Sequence, residues 1–543
     1  MFSRILSKLA ALPAPTIRAV CERDLHVPMR DGVTLLADRW YPSSGPAPTL
    51  LVRSPYGRRS IFGLLYGRLF AERGFQVVVQ SCRGTFGSGG VFEPLVREAS
   101  DARDTIEWMR GQAWFTGAYA TIGASYLCFA QWAAARSRAV EHRAMIAQAG
   151  PHEFLATIHP GGAFALDAAL SFASQVTGRQ WPGALVMVRH AFARRKMRIA
   201  FRELPLASSC ERALGRRVAF LEDWMAHAEP RDSFWNAMDH REAVASIEAP
   251  VLLQSGWYDL FASYATSQYE ALRRRGQRPF LTIGPWTHAE FPLKATRALL
   301  PETLAWLRAH LLGDRDGLRS APVRVFVLNT DRWREYGDWP PPQSAEQTWY
   351  LHPEGRLSRE PAPASDPDRY RYDPTDPTPA VGGGMILFGA GPRDNRSLEA
   401  RGDVLTYTTA PFVEETTVVG SPTVRLYVRS TLRSTDFFAR LCNVHPDGRS
   451  INVCDALIRL RPGDEAWQAD GSARVSLRLS PTACCFHRGH RLRLQISGGA
   501  HPRFARNTGT GEPLATGTGM MSAEQSVFHD SDRPSSLELR YVR

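Results

Sequence analysis

The feature that most narrows the fold is an alternation. Between residues 24 and 150, short apolar runs rich in β-formers are separated by helix-like stretches. Thr49-Leu-Leu-Val-Arg-Ser54, Phe75-Gln-Val-Val-Val-Gln80 and Ala120-Thr-Ile-Gly-Ala124 are apolar nearly throughout. Strands look like this when both faces of a parallel sheet are covered. Between them, residues 101–110 have an amphipathic helical pattern with acidic residues near the start, where the helix dipole favours them. A strongly helical segment, 126–136, follows Ser125, and residues 142–148 predict a further strand. The alternation stops over 151–245, which are helix-like, aromatic and Arg-rich. It resumes with strands at 250–254 and 279–283 and helices at 263–273 and 302–310. A βαβ domain interrupted by a helical cap accounts for this order.

The composition then changes. Trp339-Pro-Pro-Pro342, the Pro-rich stretch 373–379 and Gly382-Gly-Gly384 act as punctuation. From about residue 345, short strand-like runs recur with turn residues between them, including 423–428, 438–441, 475–479 and 492–496. Such spacing predicts an all-β sandwich of jelly-roll type. At 543 residues the chain is too long for one core. The expected division is 24–150 with 246–340 as an α/β domain, 151–245 as the cap, and 345–543 as the jelly roll.

The formal charge of +12 is carried mostly by scattered arginines. The densest basic run, 193–202, has helical spacing and no nucleic-acid motif beside it, so it reads as a solvated helix face and predicts no nucleic-acid partner. The eight cysteines lack Cys-x-x-Cys spacing and the density of a disulfide framework. A reducing, cytoplasmic compartment fits them. Residues 1–12 form a short amphipathic stretch broken by Lys8 and ended by Pro13, a poor signal peptide. No segment approaches the roughly 18 apolar residues of a membrane span, so no membrane association is expected.

Chemistry is concentrated at strand ends. Gly123-Ala-Ser125 follows an apolar strand and opens a helix, the setting of a nucleophile elbow. The usual glycine two places after the serine is absent, since Leu127 stands there. Asp259 follows the 250–254 strand and His288 follows the strand at 279–283, giving the order serine, acid, histidine. An open α/β sheet places its sites at strand carboxyl ends. Alone, Asp259 reads equally well as a helix-start aspartate and His288 as a satisfied loop histidine. Together they predict Ser125 as nucleophile, His288 as base and Asp259 as its orienting acid, with the Tyr126 amide as one oxyanion donor.

The motifs resemble a known family. Gly123-Ala-Ser-Tyr-Leu-Cys128 is similar to the Gly-x-Ser-Tyr-x-Gly elbow of bacterial cocaine esterase, α-amino acid ester hydrolases and X-Pro dipeptidyl-peptidases. Arg53-Ser-Pro-Tyr-Gly57, Arg83-Gly-Thr-Phe-Gly-Ser-Gly-Gly90, Asp104-Thr-Ile-Glu-Trp108, Gly256-Trp-Tyr-Asp259 and Gly284-Pro-Trp-Thr-His288 extend the match. Thr435-Asp-Phe437, 445–452 and 502–507 carry it into the jelly roll. The resemblance implies an α/β-hydrolase core with a helical cap and a buttressing jelly roll. It also implies Tyr56 as second oxyanion donor, through its phenolic hydroxyl.

Three departures matter. Cys128 replaces a family glycine and is expected to crowd the helix slightly. Ser81 stands where many members have aspartate, which removes a local ion pair. Leu260, Phe261 and Ala262 are apolar where amino acid ester hydrolases bind a substrate ammonium. The expected substrate is therefore a small-molecule ester with a bulky apolar or aromatic acyl group, with Phe261 and Trp286 as pocket walls. The alternative is a short peptide cleaved as an X-Pro amide by the same three residues. A third reading is a carbohydrate-binding jelly roll beside a vestigial site. No cofactor is required and no histidine spacing suggests a metal; a homodimer is compatible with the sequence.

Overall fold

The structure, a computed structural model, describes residues 2–59, 63–177, 196–198, 200–386 and 389–542. The basic run 193–202 lies partly outside them. Ten strands form one mixed sheet: β1 (Ala19–Pro28), β2 (Thr34–Pro42), β3 (Thr49–Ser54), β4 (Gln76–Ser81), β5 (Tyr119–Ala124), β6 (His142–Gln148), β7 (Val251–Tyr258), β8 (Phe280–Thr287), β9 (Val323–Val327) and β10 (Arg332–Tyr336). Their order is β1-β2-β4-β3-β5-β6-β7-β8-β9-β10. From β4 to β9 neighbours run parallel, while β1, β2 and β10 pair antiparallel at the edges.

The runs that predicted parallel strands owe their composition to this arrangement. Every residue of β3, β4, β5 and β7 is buried. From β3 the chain steps outward to β4, then returns across β3 to lay β5 on its other side. The carboxyl ends of β3 and β5 thus border the point where strand order reverses, and loops leaving them diverge to open a crevice. Tyr56 follows β3 and Ser125 follows β5.

Between β6 and β7 the described residues form helices, among them Leu155–Ile158, Leu166–Thr177, Leu206–Leu214 and Ala219–Ala226. They cap the crevice, and aromatic residues of this segment pack onto the sheet's core: Trp224, Trp235 and Phe164 belong to one apolar cluster with Leu50, Val77 and Tyr126.

The C-terminal domain is all-β apart from short helical turns, of jelly-roll type. Its strands are β11 (Ala345–His352), β12 (Arg356–Ser358), β13 (Asp368–Tyr372), β14 (Val404–Thr408), β15 (Thr416–Ser430), β16 (Thr435–Val444), β17 (Ser450–Leu460), β18 (Ser472–Arg478), β19 (Thr482–Phe486), β20 (Arg491–Ser497), β21 (Ala523–Phe528) and β22 (Ser536–Val542). Strand β15 is 15 residues long and pairs with four others, β18, β19, β21 and β22. One apolar cluster runs from Leu253, Trp257 and Tyr258 on β7, through Trp339, to Leu426, Leu441 and Leu494 of the jelly roll. The end of β7 is therefore seated on the second domain. Among the described residues no helix is long and apolar enough to cross a membrane.

Candidate active site

Ser125 sits between β5 and the helix Tyr126–Ala135 with φ 60° and ψ −121°. A non-glycine residue held there costs on the order of 1–3 kcal/mol and persists only where its surroundings fix it. The fixing groups are visible. The Ser125 N–H donates to the carbonyls of Gln148 and Ala149, both at 3.1 Å, and its own carbonyl accepts from Cys128 and Phe129 in the helix. A Cβ added to Gly123 would lie 2.4 Å from Leu127 Cβ, so Leu127 makes glycine obligatory two residues before the serine. The crowding expected from Cys128 is relieved by a partner. Gly150 lies against it, where an added Cβ would be 2.4 Å from Cys128 Cβ.

His288 bridges the other two residues. Its Nε2 is 3.1 Å from Ser125 Oγ and its Nδ1 is 2.9 Å from Asp259 Oδ2. With the Nδ1 proton directed at the carboxylate, Nε2 is left as an acceptor for the serine hydroxyl. The Asp259 side chain is fully buried, and its Oδ1 accepts from the Phe261 amide at 2.8 Å. The jelly roll supports this loop: Gly384 packs on the backbone of Asp259 and Leu260, and Tyr258 donates to the Asn452 carbonyl.

The Tyr56 hydroxyl is hydrogen-bonded to Ser125, and burial is the main cause pushing its phenol well above the usual range. It is thus a neutral donor. Tyr126, the first residue of its helix, has no carbonyl one turn earlier to bond, so its amide is available at the serine. The Tyr126 ring is edge-on to Tyr56 at 6.4 Å and its hydroxyl is held from two sides. It donates to Glu98 Oε1 at 2.8 Å and accepts from the Leu95 amide at 2.9 Å. Glu98 is in turn paired with buried Arg53 at 2.7 Å. Sequence reasoning missed this Arg53–Glu98–Tyr126 chain, because each residue alone reads as a strand-end or helix-face side chain.

Beside Ser125 lies a cavity of about 50 Å³ walled by apolar side chains, including Phe129, Phe154, Phe172, Trp224, Leu260 and Phe261. Phe261 also stands edge-on to His288 at 5.3 Å. Trp286 does not join it. Its ring packs in a separate cluster with Phe291, Ala295 and Leu299, and lies so close over Gly284 that a Cβ there would be 2.3 Å away. The cap residues Phe154, Phe172 and Trp224 were legible only as helical aromatics. A larger groove of about 790 Å³ adjoins the cavity, sharing Phe154, Thr157, Ala168, Leu260, Phe261 and Ile386 with it. Asp167 lines the groove; burial raises its carboxyl to about 6, against the Ile386 amide and Arg503. Ser81 Oγ accepts hydrogen bonds from the Arg58 amide and Nη1, and the Arg58 guanidinium keeps ion pairs with Asp38 and Asp24.

A family model for X-Pro dipeptidyl-peptidases (S15 family) matches residues 31–290, and one for the C-terminal non-catalytic domain of X-Pro dipeptidyl-peptidases matches 317–538. The chain is 31% identical to cocaine esterase of Rhodococcus sp. (strain MB1 Bresler), over 96% of this chain and 98% of that protein. Among solved structures, an aminopeptidase from a marine sediment Thaumarchaeota archaeon superposes with a TM-score of 0.82 at 21% identity, covering 98% of both chains. An α-amino acid ester hydrolase gives 0.81 at 21% identity, also covering 98% of both. These two carry the fold.

Proposed function

Because this chain belongs to the X-Pro dipeptidyl-peptidase (S15) family and is a serine hydrolase, we propose that it cleaves acyl esters with a bulky apolar or aromatic acyl group through Ser125, His288 and Asp259. The observation that carries this reading is the unbroken hydrogen-bond chain from Asp259 through His288 to Ser125, with the Tyr56 hydroxyl on the same serine.

Ser125 Oγ attacks the ester carbonyl while His288 Nε2 takes its proton; buried Asp259 stabilises the imidazolium and keeps the ring oriented. Negative charge forms on the carbonyl oxygen between the Tyr56 hydroxyl and the Tyr126 amide. Preorganised donors act most strongly where charge develops. As the tetrahedral species collapses, His288 returns the proton to the departing alcohol, leaving an acyl ester on Ser125. Water, deprotonated by His288, then releases the acid and frees Ser125 by the same steps in reverse.

The apolar lining beside Ser125 supports the acyl preference. Phe154, Phe172, Trp224 and Phe261 offer ring faces and no charge to an acyl group. A second reading, dipeptide release from X-Pro amides, is favoured by the carboxylates Glu153 and Asp167 in the adjoining groove, which suit an N-terminal ammonium. A cytoplasmic location is part of the proposal, supported by eight free cysteines. Comparing kcat/KM on benzoyl and short-chain aryl esters with that on a Gly-Pro anilide separates the two. The ester reading predicts at least a hundredfold preference for the benzoyl ester over the anilide; faster anilide cleavage overturns it.

A further inference from the structure

Where the last hairpin of the α/β sheet meets the jelly roll, three side chains of different chemistry converge. Strand β19 pairs antiparallel with the start of β15, Thr417 opposite Cys485 and Thr416 opposite Phe486. The same register brings Glu415, just before β15, opposite His487, just after β19. Residues two apart on a strand share a face, so Cys485, His487 and Glu415 project together. Their ligand atoms lie within 4.8 Å of one another. Cys485 Sγ is 3.6 Å from His487 Nδ1, and the same Nδ1 is 3.0 Å from Glu415 Oε2.

The other imidazole nitrogen is already committed. His487 Nε2 is 2.8 Å from the Asn329 carbonyl, which only accepts, so Nε2 carries a proton. In a neutral ring Nδ1 is then a bare lone pair, yet it faces a carboxylate oxygen and a sulfur. The Cys485 thiol is also hydrogen-bonded to Glu415, so the three groups share one gap, filled either by the thiol proton or by a metal ion in its place. A thiol–imidazole–carboxylate relay would put sulfur and carboxylate on opposite nitrogens, which excludes a second catalytic triad here. Asn329 is itself fixed, with φ 64° and its side-chain amide donating to the Cys485 carbonyl at 3.0 Å. A histidine that binds metal typically donates its second N–H to such a carbonyl. Arg332 adds positive charge near Glu415 and Cys485 but, among the described residues, hydrogen-bonds to neither side chain, so it does not fill the gap.

We propose that Glu415, Cys485 and His487 bind a divalent zinc-type metal ion, with water as fourth ligand. One thiolate, one imidazole and one carboxylate suit such an ion. Tetrahedral bonds of about 2.3 Å to sulfur and 2.0 Å to nitrogen put those two atoms roughly 3.5 Å apart, close to the separation found. On binding, the Cys485 S–H bond breaks, its proton passes to solvent, and the sulfur lone pair bonds the metal. Asn329 belongs to the turn between β9 and β10, whereas the three ligands belong to the jelly roll. The His487–Asn329 hydrogen bond therefore ties the site to the α/β domain. The Cys-x-His spacing is too short for a familiar motif, and Glu415 lies 72 residues before His487, so the sequence gives no hint of it.

The test is a titration of chelator-treated full-length protein with Co²⁺, followed by displacement with Zn²⁺. The site predicts one equivalent bound, with the intense visible bands of tetrahedral cobalt and near-ultraviolet thiolate-to-cobalt absorption. Cys485→Ser removes the thiolate absorption, and His487→Ala and Glu415→Gln weaken binding about tenfold or more. Cys484→Ser leaves both intact. Glu415 is exposed, so Glu415→Gln keeps wild-type esterase activity and circular dichroism, which separates lost binding from lost fold. No saturable Co²⁺ binding by wild type, or binding unchanged in Glu415→Gln and His487→Ala, overturns the proposal and leaves a proton in the gap.

Discussion

At the scale of single residues, Tyr56 stands as close to the proposed chemistry as the chain neighbours of Ser125, since its hydroxyl is hydrogen-bonded to that serine. That hydroxyl is neutral and already on Ser125, so Tyr56→Phe removes the proposed oxyanion donor and little else. A kcat reduced about 10²–10³-fold with KM nearly unchanged is the expected outcome, measured on the best aryl ester. Asp167 gives a pH test. Its folded pKa, about 6, stands above the ordinary aspartate value of 3.8, so its protonated form favours the fold. That contribution is fully present below about pH 4 and lost as pH rises through 6. Asp167→Asn should therefore raise unfolding free energy at pH 7, by at most about 3 kcal/mol, and change it little at pH 4. Urea melts at the two pH values check this; an equal effect at both contradicts it. That Ser125, His288 and Asp259 would meet was legible from their order at strand ends, and the structure brings them into one hydrogen-bonded chain. The place of Tyr56 beside Ser125 was legible only through the family resemblance, because a tyrosine after a strand is ordinarily core. Trp286 was misread because a tryptophan two residues before the histidine suggests a wall, whereas its ring turns into the cluster with Phe291.

Among elements, the elbow shows two substitutions answered by neighbours. Leu127 is accommodated by Gly123, and Cys128 by Gly150, at the end of β6. The sequence displays the missing glycines but not their compensation, since Gly150 is 22 positions from Cys128 and meets it only when β5 and β6 pair. Gly150→Ala would push a methyl within 2.4 Å of Cys128 Cβ and 2.6 Å of the Ser125 carbonyl. Overpacking of this kind costs about 1–3 kcal/mol. It should also displace the serine, lowering kcat at least tenfold while far-UV circular dichroism stays native. An active, equally stable Gly150→Ala protein would show that the elbow is looser than described. The parallel strands themselves were plain from their apolar runs. The edge strands β1, β2 and β10 were not, because many of their residues are only half-buried or exposed and each strand carries charged side chains, so none shows a continuous apolar run.

For the whole molecule, acid stability follows from histidines buried in neutral form. Burial lowers His142 and His159 to about 4 and His240 to about 3. His240 has neither ring nitrogen hydrogen-bonded among the described residues and packs on Phe129 at 4.6 Å. Each of these histidines takes up a proton on unfolding below its unfolded value of 6.5, so stability falls as pH drops from 6.5 towards 4. The slope is about 1.4 kcal/mol per pH unit for each fully titrating group. Unfolding free energies across this window should show a dependence steeper than one proton, and His240→Phe should flatten it. A flat profile in wild type contradicts neutral burial. The division into α/β core, cap and jelly roll could be read from changes in periodicity. The shared apolar cluster that seats β7 on the jelly roll could not, because contact between domains leaves no period in the sequence.

The central claim is that Ser125 is the nucleophile, and covalent labelling tests it most directly. A fluorophosphonate, followed by peptide mass analysis, should give one adduct on Ser125 in wild type and none in Ser125→Ala. Tyr56→Phe should label more slowly, because the phosphonyl oxygen occupies the same donors. Labelling at another residue, or equal labelling of wild type and Ser125→Ala, would contradict Ser125 as the nucleophile.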